Sequence, residues 1–435
     1  MSKSRSQLVS SLLLVAGVLV AAPPAAGQQA GALTVVHAGW LLDRPGEEPR
    51  TEVSVIVRDG VIEAVEDGYV ERSGAEVVDL RGRFVMPGFI DSHVHLSSEL
   101  GAGRELDAVA LNATDVVLDA ARNARTTLMA GFTTVQDVGG SLAGMTALRD
   151  AIADGDVVGP RLRVSGPAVT PTGGHGDVNG FSLDVMDLLT NRFACNGPDD
   201  CRRAVRELVR GGADVIKITA TGGVLSNTAA GVEQQFFDDE LASIVEAARM
   251  MGRKVTAHAH GTTGVDSFLE AGGASIEHGT YLDDNSIRLF RESGAYLVPT
   301  ILAGVTVAEM AEGADWMPGP VRDKSRSVGP LMLDMARRAH EGGVRIAFGT
   351  DSGVSQHGVN AREFQLLVEA GLTPMEAIHT ATVAAADHVE MGDRLGTIEA
   401  GKLADLIASD SNPLDDVATL MEISFVMKDG VVYKR

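Results

Sequence analysis

The sequence contains few cysteines, few aromatic residues and fewer basic than acidic residues. Only 2 of its 435 residues are cysteine, and Phe, Trp and Tyr together make up 4% of the chain. With so few aromatic residues, the 50 glycines favour many tight strand-to-helix turns over an aromatic-rich β-sandwich. The 59 acidic residues outnumber the 37 basic ones, so the net charge is −22. This balance argues against nucleic acid or an anionic membrane as a partner.

The two cysteines, Cys195 and Cys201, flank a turn-rich stretch with the sequence Asn-Gly-Pro-Asp-Asp. Their spacing favours a small disulfide loop, formed in an oxidising compartment. Two free buried thiols are the alternative. A zinc site is disfavoured because no further cysteine and no cluster of histidines stands nearby.

One long apolar run, residues 8–22, follows two positive charges near the N-terminus and is closed by two prolines. Small residues then stand where a signal peptidase could cut, so residues 1–27 are predicted to be a signal peptide that is cleaved before Gln28. A single membrane anchor is the alternative, but the run is short for one. We therefore expect a secreted or periplasmic protein with no membrane contact after cleavage.

The chain ends and the middle of the chain have different patterns. Residues 33–85 and 387–435 alternate short β-type runs with turns and are predicted to form one small β-sandwich domain. Residues 86–386 alternate short apolar runs with helical stretches, which predicts an α/β fold, a (β/α)₈ TIM barrel. The eight candidate strands are residues 88–91, 133–136, 161–164, 215–218, 254–257, 274–277, 296–299 and 345–348.

Candidate metal ligands follow several of these strands, where the active site of such a barrel lies. His93 and His95 are two positions apart after the first strand, so their imidazoles point to the same side and could hold one metal ion. Lys217 stands among β-branched apolar residues at the end of the fourth strand, where a lysine is rare unless it is functional or paired. The other strand-end residues of this kind are His258, His260, His278 and Asp351.

With these residues the sequence resembles the amidohydrolase superfamily from about residue 33 to residue 435. Flanking phrases are similar to its imidazolonepropionase-like branch, which includes prolidase-like dipeptidases, carboxypeptidases and ochratoxin-hydrolysing amidases. Those phrases are Val85-Met-Pro-Gly-Phe-Ile-Asp-Ser-His93, Gly131-Phe-Thr-Thr-Val135, Thr221-Gly-Gly-Val224, Gly349-Thr-Asp351 and Gly401-Lys-Leu-Ala-Asp405-Leu.

The resemblance implies a site with two divalent metal ions, most often zinc. His93, His95 and Asp351 would hold the first ion, and His258 and His278 the second. Lys217 would be carboxylated on its amine and would bridge both ions, which turns a costly buried ammonium into an anionic ligand.

The same resemblance implies a mechanism, in which a hydroxide that bridges the metal ions is the nucleophile. Asp351 would take the proton of the water and deliver it to the departing amine. Asp351 and Lys217 are thus the predicted catalytic residues. The predicted substrate contacts are His175, His260, Val224 and, in the loop after the last strand, His357.

The predicted function is hydrolysis of an amide next to a free carboxylate, by a zinc-dependent enzyme of the carboxypeptidase or dipeptidase kind. The substrate would be a small molecule or a dipeptide: Xaa-Pro or another dipeptide, an N-acyl amino acid or an amide like ochratoxin A. The alternative is a cyclic amide hydrolase or deaminase that acts on a nitrogen heterocycle. Many such deaminases use one metal ion and lack the lysine, so Lys217 counts against that alternative. The sequence identifies no subunit interface and leaves a homo-oligomer open.

Overall fold

The structure is a computed structural model that describes residues 33–227 and 231–435. The predicted signal peptide lies outside the described residues, so its cleavage stays a prediction. No helix in the described part of the chain is long and apolar enough to cross a membrane.

Strands occur at both ends of the described chain and throughout its middle. The strands are β1 Leu33–Leu41, β2 Arg50–Arg58, β3 Val61–Asp67, β4 Glu76–Pro87, β5 Phe89–Val94, β6 Phe132–Asp137, β7 Arg161–Val164, β8 Thr170–Pro171, β9 Ala194–Cys195, β10 Ile216–Thr219, β11 Val255–Ala259, β12 Ser275–His278, β13 Tyr296–Val298, β14 Arg345–Ile346, β15 Leu406–Ser409, β16 Phe425–Lys428 and β17 Val431–Lys434.

The helices lie mostly between the strands of the middle segment. They are α1 Arg104–Ala110, α2 Ala113–Met129, α3 Leu142–Ala153, α4 Leu183–Leu189, α5 Pro198–Arg210, α6 Asp238–Met250, α7 Thr262–Glu270, α8 Asp284–Ser293, α9 Ile301–Gly313, α10 Gly319–Val328, α11 Leu331–Glu341, α12 Arg362–Glu369, α13 Pro374–His379 and α14 Ala385–His388. A π-helical segment, Thr380–Ala384, joins α13 to α14, and a 3₁₀-helix, Val417–Met421, precedes β16.

The strands of both chain ends form one seven-stranded sheet in the order β17-β16-β15-β4-β1-β2-β3. Val55 of β2 and Phe425 of β16 belong to the same buried apolar core although three strands separate them in this order. The backbone of Ala404 also joins the two ends of the sheet, because its N–H donates to Gly60 (2.8 Å) and its carbonyl accepts from Gly430 (3.0 Å). The sheet therefore folds over on itself around one core, in the sandwich form expected.

Eight parallel strands, β5, β6, β7 and β10 to β14, make up the middle of the chain, and each overlaps one of the eight predicted strands. The segment that follows β7 joins β10, because Val169 in that segment pairs in parallel with Ile218. The last strand returns to the first, since the N–H of Ser92 donates to Phe348 (2.9 Å) and that of Asp351 donates to His93 (2.8 Å). This ring of hydrogen bonds closes a (β/α)₈ barrel and confirms the predicted fold class.

Four of the aromatic residues pack together in the core of this barrel. Phe89, Phe132, Phe348 and Phe364 are all fully buried, and their rings contact one another with centroid separations from 4.5 to 5.6 Å. Large rings at these distances bury much apolar surface and make favourable edge and offset contacts. A chain with few aromatic residues thus places four of them at one point of its main core.

Cys195 of β9 and Cys201 in the first turn of α5 form a disulfide in the structure. This confirms the pairing that their spacing favoured. His37 and His388 both fall in the ranges 33–85 and 387–435 that were predicted to form the terminal β-sandwich. His37 lies in β1, whereas His388 lies on α14 and not in the terminal sheet, and its Nε2 is 2.9 Å from Ser275 Oγ of β12.

A buried ion pair joins the barrel to the terminal sheet. The Arg161 guanidinium, at the start of β7, donates to Asp405 Oδ2 (2.8 Å) and to Asp429 Oδ1 (2.5 Å). Only 4% of the Asp405 side chain is exposed, so this carboxylate depends on the arginine for compensation of its buried charge.

We therefore expect Arg161→Met to lower the free energy of unfolding by about 3 kcal/mol, because it leaves a buried carboxylate without its cation. Chemical denaturation measures this change. Arg435→Met is the matched control, since the Arg435 and Glu76 side chains are 67% and 60% exposed, and it should cost less than about 1 kcal/mol. Equal losses in the two variants would contradict a structural role for the buried pair.

Candidate metal centre

The predicted ligands all lie at the carboxyl ends of barrel strands. His93 and His95 end β5, Lys217 lies in β10, His258 and His260 end β11, His278 ends β12, and Asp351 follows β14. Because parallel strands of a closed barrel end on the same face, residues far apart in sequence meet there. All except His95 are at most 8% exposed.

Three ligand atoms converge at the junction of the first and last strands. His93 Nε2 lies 3.2 Å from His95 Nε2 and 3.3 Å from Asp351 Oδ1, and His95 Nε2 lies 3.2 Å from that same oxygen. Two imidazole nitrogens and one carboxylate oxygen at this spacing are ligands that suit Zn²⁺ and related divalent ions. This is the first predicted set of ligands.

A second group of ligand atoms lies beside the first. One ligand atom from each of His258, His260 and His278 lies within 4.8 Å of the others. Ligand atoms of His93, His278 and Asp351 lie within the same distance of one another. His278 therefore connects the two groups. The structure also places His260, predicted as a substrate contact, within reach of a metal ion, and its ring stacks on that of His278 with centroids 4.9 Å apart.

Lys217 is the one cationic residue among these ligands in the described part of the chain, and it is 3% exposed. Burial lowers its pKa to about 7, against the attraction of Asp351, because an ammonium ion loses its hydration there. Its Nζ contacts the Glu277 carboxylate. Nζ, His93 Nδ1 and Asp351 Oδ1 are buried without a hydrogen-bond partner of satisfactory geometry. Such atoms, together with this donor set, fit a site for divalent metal ions.

Burial keeps four histidines of the site, His93, His258, His260 and His278, neutral. It lowers the pKa of His93 and of His260 to about 3, and it lowers that of His258 and of His278 well below the ordinary value. Burial raises the pKa of Asp351, but nearby His93 and His95 outweigh that effect and hold it well below the usual range. At neutral pH the site thus offers imidazole lone pairs and an anionic carboxylate, the forms that bind metal.

Three residues at the site have a left-handed backbone conformation, which residues other than glycine seldom adopt. They are His278 with φ +74°, Thr300 with φ +49° and Asp351 with φ +57°. In the β11–β12 pairing, Glu277 is opposite His258 and His278 is opposite Ala259. Strict alternation would thus turn Glu277 inward and His278 outward. The strand ends at His278 instead, and the left-handed turn directs its imidazole to the other ligands. Strain of this kind concentrates at functional sites.

Hydroxyl groups determine which ring nitrogen of His278 and of His260 stays available to bind a metal ion. Thr300 Oγ1 donates to the Pro299 carbonyl (2.8 Å) and lies 2.7 Å from His278 Nδ1, so it accepts from that nitrogen and leaves Nε2 free. His260 Nδ1 is likewise 2.7 Å from Thr280 Oγ1. Hydrogen bonds to the far nitrogen orient a ligating imidazole and raise its basicity.

The remaining predicted contacts lie at the edge of the metal ligands. The His175 ring is tilted against that of His258 with centroids 4.2 Å apart, and its Nδ1 is 2.5 Å from Ser226 Oγ. Val224 is buried in the loop after β10. His357 lies in the loop after β14, and its Nε2 is 3.1 Å from the Ser98 carbonyl. The structure therefore places His175 next to the ligands, whereas the His357 ring contacts the backbone carbonyl of Ser98.

Two buried carboxylates beside the ligands were not singled out from the sequence. Asp91 accepts from the N–H of His93 and of Thr350 (3.1 Å each) and from Asn360 Nδ2 (2.8 Å), so it connects the first strand to the turn before Asp351. Glu277 contacts Lys217 and lies 3.4 Å from His93 Nδ1. A charged residue at an inward position of a strand was the signal that could have identified Glu277.

Several known proteins are similar to this chain over most of its length. The model of the amidohydrolase family matches residues 84–433. Ochratoxinase of Aspergillus niger is 32% identical over 428 residues, covering 92% of this chain and 87% of that protein. An Xaa-Pro dipeptidase solved with methionine in its active site is 39% identical, covers 93% of this chain and 100% of its own, and superposes with a TM-score of 0.89. A prolidase in complex with N-methylphosphonate-L-proline is 31% identical with a TM-score of 0.84, at the same coverage.

The hydroxyl partner of His278 leads to a prediction. We expect Thr300→Val to weaken zinc binding by about 10-fold, because the shape of the side chain is kept while the acceptor for Nδ1–H is lost. Competition with a chelator measures the affinity. Thr306→Val, which removes a hydroxyl bonded only to the Leu302 carbonyl of the same helix, is the control and should bind zinc like the unaltered protein. Unchanged affinity in Thr300→Val would show that the hydroxyl does not support the ligand.

Proposed function

The chain belongs to the amidohydrolase family. We propose that it uses two divalent metal ions, with zinc as the expected metal, to hydrolyse an amide bond next to a free carboxylate. The substrate class is an Xaa-Pro or other dipeptide, an N-acyl amino acid or an amide of the ochratoxin A type. The relatives named above, an ochratoxinase and two prolidase-like enzymes, support this class.

The observation that carries the proposal is the buried lysine among the ligands. His93, His95 and Asp351 suit one ion and His258 and His278 suit another, with Lys217 in the same buried end of the barrel. An ammonium would repel metal ions, whereas a carboxylated lysine has two anionic oxygens. Carboxylation needs only CO₂: the amine nitrogen bonds to its carbon, one C=O electron pair moves to oxygen, and the nitrogen releases one proton.

Metal ions held by these residues would polarise the amide carbonyl and lower the pKa of a water nucleophile. The other functions belong to residues of the chain. In the described part of the chain no group donates a hydrogen bond of satisfactory geometry to Asp351 Oδ1, which lies beside the ring nitrogens of His93 and His95, so this carboxylate can accept the proton of the attacking water. Transfer of that proton to the leaving nitrogen releases the amine without an unstable amide anion.

Positive charge on one side of the ligands supports a substrate with a carboxylate. Lys324 Nζ donates to the carbonyls of Gly223 and Ser226 (2.9 Å each), and the hydroxyl of Ser226 contacts His175. Burial lowers the pKa of His175 to about 4, and the charges of Lys217, Lys324 and Arg104 act in the same direction. In a chain of net charge −22, a local cluster of cations beside the ligands favours an anionic ligand at that point. His175 itself is placed to contact the substrate next to the scissile bond.

Apolar side chains from two loops and two helices pack together at the carboxyl end of the barrel strands. Val224 follows β10, Ala303 and Val307 lie in α9, Val328 lies in α10 and Val354 follows β14, and these five form one buried cluster. An apolar wall beside a cationic group favours a substrate with an apolar side chain and a carboxylate. A hydrophobic amino acid, released as the amine product, fits this description.

A secreted or periplasmic location is part of the proposal. The apolar run near the N-terminus supports export. The disulfide between Cys195 and Cys201 supports it independently, since disulfides persist in oxidising compartments.

Metal analysis tests the proposed site. We expect the purified protein to bind about two equivalents of zinc, and Lys217→Ala to bind less and to lose hydrolysis, because the bridging ligand is gone. Lys428→Ala is the matched control, since Lys428 is 5% exposed in the terminal sheet and should keep both equivalents. About one equivalent together with an active Lys217→Ala protein would exclude the two-metal hydrolase and favour the deaminase class.

Paired substrates test the carboxylate. Dipeptides with varied C-terminal residues, together with ochratoxin A, should include members from which an amino acid is released. For the best dipeptide, blocking the carboxylate as an amide should lower kcat/KM by about 10- to 100-fold, the worth of one hydrogen bond to a charged group. Equal rates for acid and amide, or no amino acid released from any member, would contradict the proposed substrate class.

A further inference from the structure

Three buried polar atoms face one another inside the barrel, and two of them belong to predicted metal ligands. They are His93 Nδ1, Lys217 Nζ and Glu277 Oε2, which come from β5, β10 and β12. Glu277 Oε2 contacts Lys217 Nζ and lies 3.4 Å from His93 Nδ1. None of the three atoms hydrogen-bonds any other group in the described ranges. Buried polar atoms seldom lack partners, so their arrangement calls for a function.

We propose that Glu277 is a positioning residue that orients two metal ligands at once, the His93 ring and the Lys217 side chain. This inference rests on the proposed two-metal function. It adds to that function a residue that touches neither substrate nor metal.

The Glu277 carboxylate is itself held in one orientation. Glu277 is 0% exposed, and its Oε1 accepts a hydrogen bond from Thr256 Oγ1 of the neighbouring strand. Thr256 Oγ1 in turn accepts from Ser275 Oγ (2.8 Å), which lies 2.9 Å from His388 Nε2. This series of side chains crosses the inside of the barrel and prevents the carboxylate from rotating, so Oε2 stays directed at His93 and Lys217.

For His93 the consequence is a defined tautomer. A carboxylate can only accept, so the proton of the neutral ring lies on Nδ1, toward Glu277. The lone pair of Nε2 then points to Asp351 Oδ1 and His95 Nε2, which are 3.3 and 3.2 Å away. A carboxylate behind a histidine also raises the basicity of the ring and strengthens its bond to a metal ion.

For Lys217 the consequence concerns the carboxylated form. Carboxylation leaves one N–H on the nitrogen, and Glu277 Oε2 is positioned to accept it. Because the carbamate group is planar, this single hydrogen bond would determine the direction of its two oxygens, away from Glu277 and toward the ligands. Without Glu277 the side chain would keep its burial but lose this orientation.

The test compares Glu277→Gln with Glu240→Gln. Glutamine keeps the size of the side chain but removes its charge. Glu240 is also buried, at 5% exposure, and its carboxylate accepts from the N–H of Gly197 (2.6 Å) and of Phe237 (2.9 Å) on the outer side of the barrel. It is thus a control for the removal of a buried carboxylate far from the ligands.

Two readouts are independent of hydrolysis. The first is zinc affinity, measured by chelator competition, which should fall by about 10- to 100-fold in Glu277→Gln and stay unchanged in Glu240→Gln. The second is the ¹³C NMR signal of the lysine carbamate in protein equilibrated with ¹³C-bicarbonate, which should be reduced in Glu277→Gln alone. The melting temperature of the metal-free proteins shows whether a loss of fold accounts for either effect.

If Glu277→Gln does not fold, Thr256→Val serves instead, since it removes the hydroxyl that holds Glu277 Oε1 and should weaken zinc binding in the same direction by a smaller factor. Unchanged zinc affinity and an unchanged carbamate signal in the folded variant would overturn the inference. That result would leave the proposed function intact if the unaltered protein binds two zinc ions. An unaltered protein that binds no zinc would instead exclude the proposed function.

Discussion

Loss of hydration at the carboxyl ends of the barrel strands is the constraint on which the site depends. Imidazoles, carboxylates and an amine are brought together there with almost no contact with water. Burial makes each charged form costly, so the histidines lose their protons and the lysine ammonium becomes unfavourable. The same burial that would destabilise a cluster of charges therefore prepares neutral nitrogen ligands and one anionic carboxylate. Metal ions bound by these residues would supply the charge that this arrangement lacks.

The barrel also provides the means of orienting these groups. Its strands place side chains by alternation, which brings Lys217, Thr256, His258 and Glu277 to the inside. At the strand ends this pattern stops, and left-handed residues such as His278 and Asp351 redirect their side chains. Neighbouring groups hold the strained segments in place, among them Glu363, which accepts from the N–H of Ile301 and of Leu302 just after Thr300 (2.9 and 2.7 Å). Rigidity around the ligands thus comes from a layer of hydroxyls and carboxylates.

Much of the fold could be predicted because its signals are local. Short apolar runs separated by helical stretches identified all eight barrel strands, and paired β-type runs identified the terminal sheet. The metal-ligand candidates were recognised because histidines recur at the ends of several predicted strands and because a lysine in an apolar strand is rare. Glu277 was missed although it lies at an inward position of its strand, because a lone glutamate beside a histidine does not reveal its partners Lys217 and His93. His388 was expected in or near the sheet but lies on a helix beneath the barrel, a position that only packing reveals.

The sequence by itself determined the order of the strands, the residue types at their ends and the family to which the chain belongs. These properties follow from periodicity and from the identity of single residues. The tertiary structure decided which of these residues meet, which ring nitrogen of His278 is free and which carboxylate stands behind His93 and Lys217. Those facts depend on barrel closure and on backbone strain at single residues, and both arise from contacts between segments far apart in the chain.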